Sequence, residues 1–154
     1  MWMIIGDSHD RIDKLEEAVH YANKNKIDVL FHCGDIISPF SANILKRYNG
    51  DLHVVLGNND GEVFGLKRIL GQNISRRPKK ITIGNKKILL MHEPPENFDE
   101  LHYDYIFYGH LHKIDIRPGK KTIINPGEIC GYLTGKSTFV LLNEKTNENR
   151  LIEI

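Results

Sequence analysis

Only two cysteines, Cys33 and Cys130, occur in the 154 residues, which excludes a disulfide-stapled scaffold and a cysteine-rich zinc site. Charge of one sign is equally scarce: 21 Lys and Arg face 20 Asp and Glu, for a formal net charge of +1. A dedicated nucleic-acid binder needs a basic surplus gathered on one surface, so that class is set aside. The one short basic run, Arg76, Arg77, Lys79 and Lys80, reads as a solvated turn around Pro78. No apolar stretch approaches the ~20 residues of a membrane helix, and the start, Met-Trp-Met-Ile-Ile-Gly, has no basic flank or cleavage site. A reduced, cytoplasmic protein with no membrane contact is expected.

What is present is ordinary globular material, 40% hydrophobic and 27% charged. The length suits one domain over residues 1–154. Ile12, Leu15, Val19 and Ala22 recur at helical spacing, predicting a helix over 11–25 with Asp10 capping its first turn. A second helix is expected from Pro39 to Tyr48. The apolar runs at Trp2 to Ile5, Val29 to Phe31 and Leu52 to Leu56 read as strands, giving the alternation that builds a parallel sheet. Further on, Lys79 to Ile83 and Lys86 to Met91 flank Gly84-Asn85, a hairpin signal. Tyr105 to Tyr108, Ile114 to Arg117, Lys121 to Ile124, Ser137 to Leu142 and Arg150 to Ile154 also read as strands. The expected architecture is two sheets face to face with helices outside, the first half more parallel and the second more antiparallel.

Chemistry collects where strands end. Ile4-Ile5-Gly6 runs into Asp7, Cys33-Gly34 into Asp35, Leu56-Gly57 into Asn58, Leu90-Met91 into His92 and Tyr108-Gly109 into His110. Four of the five have Gly before the polar residue, where a backbone turns sharply or approaches a ligand. In open α/β sheets the binding crevice lies at the strands' carboxyl ends, so these side chains are expected to converge. His9 and His112 sit two residues beyond Asp7 and His110; in extended chain, i and i+2 share a side. The set Asp7, His9, Asp35, Asn58, His92, His110 and His112 offers nitrogen and oxygen donors and no thiolate. Seven ligands with one bridging carboxylate fit two metal ions. His20 and His53 lack this context, and His32 is at most a support behind the ligands.

In order along the chain, Asp7-Ser8-His9, Gly34-Asp35, Gly57-Asn58-Asn59-Asp60, His92 and Gly109-His110-Leu111-His112 resemble the scattered motifs of the calcineurin-like metallophosphoesterases. With the short length and Asn125-Pro126-Gly127-Glu128, the chain looks most like the small YfcE-like and archaeal phosphodiesterase branch. The resemblance implies an α/β, four-layer αββα sandwich of two mixed sheets, with the metal site at the strand carboxyl ends. It puts one ion on Asp7, His9, Asp35 and His112 and the other on Asp35, Asn58, His92 and His110, and it places Asp35, Asn58, Asn59 and His110 in the catalytic set. Mn²⁺ heads the candidate ions, with Ni²⁺, Fe²⁺, Co²⁺ and Zn²⁺ also compatible. The implied reaction is attack of metal-activated hydroxide on the phosphorus of a small phosphodiester, by a monomer or homo-oligomer.

Two departures stand out. Many members of the resembling family carry His where this chain has Asn59, which can only hydrogen-bond, so activated aryl esters should turn over better than alkyl esters. Glu93 follows His92 where the family usually has Gly, either as an acceptor behind the ligands or as a carboxylate that repels anions. Two other readings compete. Gly6-Asp7-Ser8, Gly57-Asn58-Asn59-Asp60 and Asp99-Glu100-Leu101-His102 resemble the blocks of GDS-type serine esterases, with Ser8 as nucleophile, His102 as base and Asp99 orienting it. The retromer small subunit resembles the same fold and works as a scaffold, which makes a non-catalytic binding module the other alternative.

Overall fold

A computed structural model of the protein describes all residues from 1 to 154. Strands β1 (Trp2–Ile5), β2 (Val29–His32) and β3 (Asp51–Val55) run parallel and are joined through helices α1 (Ile12–Lys24) and α2 (Pro39–Leu45). Helix α3 (Val63–Leu70), a 3-10 turn over Gly71–Asn73 and the two-residue β4 (Ile74–Ser75) follow. The remaining strands are β5 (Lys79–Ile83), β6 (Lys86–Leu90), β7 (Tyr105–Phe107), β8 (Ile114–Arg117), β9 (Thr122–Pro126), β10 (Thr138–Leu142) and β11 (Asn149–Glu153). Six strands form one sheet in the order β11-β10-β1-β2-β3-β4, and five form a second in the order β5-β6-β7-β9-β8. Both sheets are mixed: β10 runs antiparallel to β1, whereas β6, β7 and β9 are mutually parallel at the centre of the second sheet.

Alternation along the strands creates the layers. Met3 and Ile5 of β1, Leu30 of β2 and Leu52 and Val54 of β3 face the helices, where they meet Leu15, Ala18, Val19 and Ala22 of α1 and Leu66 and Leu70 of α3. Trp2, Ile4, Val29, Phe31 and Val55 face the other way, against Ile88, Leu90, Tyr105 and Phe107 of the second sheet. Trp2 packs edge-on against Phe31 and Tyr105, at centroid distances of 5.6 and 5.1 Å. Each such side chain contributes roughly 1.5–3 kcal/mol by leaving water. The second sheet's outer face is covered by the 92–104 loop instead of a helix: Phe98, Leu101 and Tyr103 lie over Leu89, Ile106, Tyr108 and Ile123. The fold is thus the expected α/β arrangement of two mixed sheets, but of the expected αββα layers the outer one on the second sheet is the 92–104 loop, and all three helices lie against the first sheet.

Three local expectations are corrected. Asp10 does not cap α1, where Arg11 holds the capping position without a side-chain bond. Instead its carboxylate accepts from the Ser38 N–H and from the hydroxyls of Ser38 and Ser41, tying the β1 exit loop to the start of α2. The helix from Pro39 stops at Leu45, three residues short of Tyr48. Arg77 is no freely solvated turn residue; it is paired with Glu93.

Parallel register places the site. Ile5 aligns with His32 and His32 with Val54, so the segments leaving β1, β2 and β3 emerge together. Leu90 aligns with Phe107 in the second sheet, so Met91 and Tyr108 leave side by side. No helix is long and apolar enough to cross a membrane.

Candidate metal centre

The loops leaving these strands are bound to one another before any ligand is considered. Asp7 N–H donates to Gly34 O at 3.0 Å, His9 N–H to Asp35 O at 3.0 Å and Gly109 N–H to His92 O at 3.0 Å. The turns are sharp: Asp7, His9, Asp35, His110 and His112 all have positive φ, between 41° and 67°. Each such non-glycine residue costs of order 1 kcal/mol, and residues held this way cluster at functional sites. The expected extended pairing of Asp7 with His9 and of His110 with His112 is therefore corrected: left-handed turns, not strand alternation, aim these side chains. Glycine allows the close approach. A Cβ on Gly34 would lie 2.8 Å from His92 Nδ1, and one on Gly57 would overlap Asp35 Oδ1.

One half of the centre is built from Asp7, His9 and His112, whose ligand atoms all lie within 4.8 Å of one another. Burial pushes Asp7 up to about 7, because a carboxylate without a cation is poorly solvated there. His9 Nε2 is buried without a hydrogen-bond partner, 4.0 Å from Asp7 Oδ1 and 3.4 Å from Asp35 Oδ2. Its ring stacks on that of His112, with centroids 5.1 Å apart. His112 donates from Nδ1 to Glu128 Oε2 at 2.5 Å, leaving Nε2 to face Asp7 Oδ1 at 3.7 Å. Glu128 stays ionised: burial alone would raise it, but hydrogen bonds from Cys130, His112 and Thr134 bring it down to about 2.

The other half gathers Asp35, Asn58, His92 and His110. His92 donates from Nδ1 to Cys33 O at 2.9 Å, which turns Nε2 toward Asn58 Oδ1 at 2.8 Å and Asp35 Oδ2 at 3.4 Å. His110 Nδ1 lies 2.9 Å from the same Asn58 oxygen, and its backbone N–H donates to Asp7 Oδ2 at 3.0 Å. Burial opposes a charge on His92, yet the Asp35 carboxylate outweighs it and raises its pKa. Burial would likewise raise Asp35, but bonds from His92 and from the Asn59 backbone and amide hold it well below the carboxylate range. Asp35 Oδ2 is thus 3.4 Å from both His9 Nε2 and His92 Nε2, a corner shared by the two halves.

These residues fit divalent cations. Acceptor oxygens of Asp7, Asp35 and Asn58 converge with imidazole nitrogens; Nδ1 bonds turn Nε2 of His92 and His112 inward, and His9 Nε2 is buried with no partner. All seven sequence-derived ligands are brought together. Asn59 is also present, but its side-chain amide donates to Asp35 Oδ2 at 2.8 Å.

Three contributors were not assigned roles from sequence. Asp60, though inside a quoted motif, accepts from the backbone N–H groups of Asp35, Ile36, Ile37 and Gly57, so one buried carboxylate joins the β2 and β3 exit loops. Glu128 closes the Asn125-Pro126-Gly127-Glu128 run; its place beside His112 depends on a contact made across 16 residues of chain. Arg77 pairs with Glu93, a partner that neither expectation for that carboxylate included. His32 is buried and held neutral at about 3 by desolvation; it takes the Gly34 N–H on Nδ1 and presents Nε2 to Ser8 Oγ at 3.0 Å. Ser8 is committed to this contact, whereas His102 and Asp99 precede β7, at the end of the sheet away from the loops that carry the ligands. The serine-esterase constellation is not assembled.

Comparison with known proteins gives the same direction. The calcineurin-like phosphoesterase superfamily domain matches residues 1–147. Phosphodiesterase MJ0936 of Methanocaldococcus jannaschii is 31% identical over 97% of this chain and 96% of its own length. The structure of an archaeal phosphodiesterase superposes with a TM-score of 0.90 at 29% identity, covering 99% of both chains. Vps29 of Entamoeba histolytica, solved with Zn²⁺, shares the fold at a TM-score of 0.67 and 20% identity, over 99% of this chain and 97% of its own.

Proposed function

Because the chain belongs to the calcineurin-like phosphoesterase superfamily, we propose that it is a phosphodiesterase working with two divalent metal ions, Mn²⁺ foremost. Asp7, His9, Asp35 and His112 would hold one ion, and Asp35, Asn58, His92 and His110 the other. The observation that carries this reading is the Asp35 Oδ2 corner, 3.4 Å from an imidazole nitrogen of each set. Bound divalent ions supply Lewis acidity, lowering the pKa of water to give a hydroxide nucleophile and offsetting charge on the phosphoryl oxygens.

The chain's own groups set the rest. Asp7 and Asp35 return two negative charges against four positive, leaving a surplus of two for hydroxide and a phosphodiester monoanion. His110 is the ligand histidine at the more open side, with its Nδ1 on Asn58. Asn59 has its amide committed to Asp35, so nothing at that position can protonate a leaving group. Activated aryl diesters should therefore react faster than alkyl diesters. We place the enzyme in a reduced, cytoplasmic setting, acting on a small phosphodiester; Cys33 and Cys130 are free and buried.

The test is hydrolysis of bis-p-nitrophenyl phosphate by chelator-stripped protein with and without Mn²⁺, alongside an acyl ester. Metal-dependent diester cleavage, lost in Asp35→Asn, is the expected result; no diester cleavage with any divalent ion overturns it. A second reading as a binding module would draw on exposed apolar side chains such as Phe40, Phe64 and Leu133, which are 78%, 92% and 74% exposed. Intact metal binding without turnover of any phosphoester would favour that role.

A further inference from the structure

The segment between β4 and β5 crosses from one sheet to the other, and Arg77 lies within it. Its guanidinium is divided between two loops. Nε and Nη2 donate side by side to the two carboxylate oxygens of Glu93, the latter at 2.8 Å. Nη1 donates to the carbonyls of Gly57 at 3.1 Å and Leu56 at 3.3 Å, at the exit of β3. Gly57 immediately precedes Asn58 and Glu93 immediately follows His92, while Asn58 Oδ1 and His92 Nε2 face each other at 2.8 Å.

We propose that Arg77 and Glu93 form a positioning clamp that sets the distance between Asn58 and His92, and so tunes the affinity of the second metal site alone. The inference rests on the two-ion reading above. An exposed ion pair ordinarily contributes little to stability, and these side chains are 35% and 38% exposed. A bidentate guanidinium–carboxylate pair is nevertheless specific in geometry, and here its remaining donors fix the neighbouring backbone. The clamp's value lies in where it holds two loops. It touches none of Asp7, His9 and His112, whose side of the centre is oriented by Glu128. It also explains how a carboxylate sits beside an anion-binding site without repelling the anion, since Arg77 carries the balancing charge.

The experiment is calorimetric titration of the chelator-stripped full chain with Mn²⁺, comparing the unaltered protein with Glu93→Gln, Arg77→Lys and Asn58→Ala. The unaltered protein should take up two ions. Glu93→Gln and Arg77→Lys should each weaken one of them by about 10–100-fold, the usual cost of losing a group behind a ligand, and leave the other unchanged. In an Asn58→Ala background the same substitutions should cost less than in the unaltered protein, because one of the two ligands whose separation they set is gone. Arg77→Lys keeps the charge and removes the fork, so it gives the reading even where Glu93→Gln folds poorly. Wild-type affinity in both single variants, equal weakening of both ions, or an undiminished loss in the Asn58→Ala background overturns the clamp. Uptake of fewer than two ions by the unaltered protein overturns the two-ion reading and the clamp with it.

Discussion

Asp35 accepts the Asn59 backbone N–H at 2.9 Å and its amide at 2.8 Å while turning Oδ2 toward both His9 and His92. Asn at this position would keep the volume but remove the charge and present an N–H to one of those contacts. Asp35→Asn should therefore abolish Mn²⁺-dependent diester cleavage and reduce Mn²⁺ uptake at both ions, which titration of the stripped variant reads directly. Glu128 acts one step further out. Its carboxylate fixes which nitrogen of His112 bears the proton, a role glutamine fills only through a neutral acceptor. Glu128→Gln is expected to cost about 10–100-fold in affinity at the ion bound by Asp7, His9 and His112, with the other ion unaffected. Affinities from the same titration check the split.

At the scale of elements, periodicity and turn chemistry located β1, β5 and β8 residue for residue, because alternating or continuous apolar runs bounded by Gly or polar residues have one reading. Helix α3 was not legible. Gly65 interrupts Val63 to Leu70, and Glu62 at its start makes no capping bond, so local propensity was silent while Leu66 and Leu70 are buried by tertiary packing. Strand β4 has two residues, too few for any period. The seven candidate ligands were legible because five stand at the end of an apolar strand and His9 and His112 follow two residues beyond; Asp60, Glu128 and Arg77 were not, because each acts through a contact made only on folding. Since α3 follows directly from the Asn58 loop, its anchoring bears on the site. Leu66→Ala should destabilise the fold by about 2–5 kcal/mol, read as a lower denaturant midpoint at unchanged slope.

For the whole molecule, the centre concentrates buried acid groups at the meeting line of two sheets, and their titration couples metal binding to folding. Asp7 is raised to about 7 from an ordinary 3.8, so without metal its stabilising proton is fully present below pH 3.8 and lost as pH rises through 7. Glu128 acts in the opposite sense: lowered to about 2, its contribution is full above pH 4.5 and lost as pH falls toward 2. His32, held at about 3, opposes Asp7 by adding stability as pH rises to 6.5, and comparison with Asp7→Asn cancels it. Measured against that variant, the chelated protein should accordingly be less stable at pH 8 than at pH 5. Mn²⁺ should reverse this, because a bound cation takes the place of the proton on Asp7. Below pH 7 that proton must leave, so apparent Mn²⁺ affinity should fall by about tenfold per pH unit for each proton displaced. Asp7→Asn separates the two effects. Lacking the Asp7 carboxyl, it should keep only the pH dependence of the histidines in chelator and gain little from Mn²⁺. A melting-temperature difference between chelated wild type and Asp7→Asn that does not fall over that interval would show that Asp7 is already ionised, and the centre would then have to balance its charge without a cation.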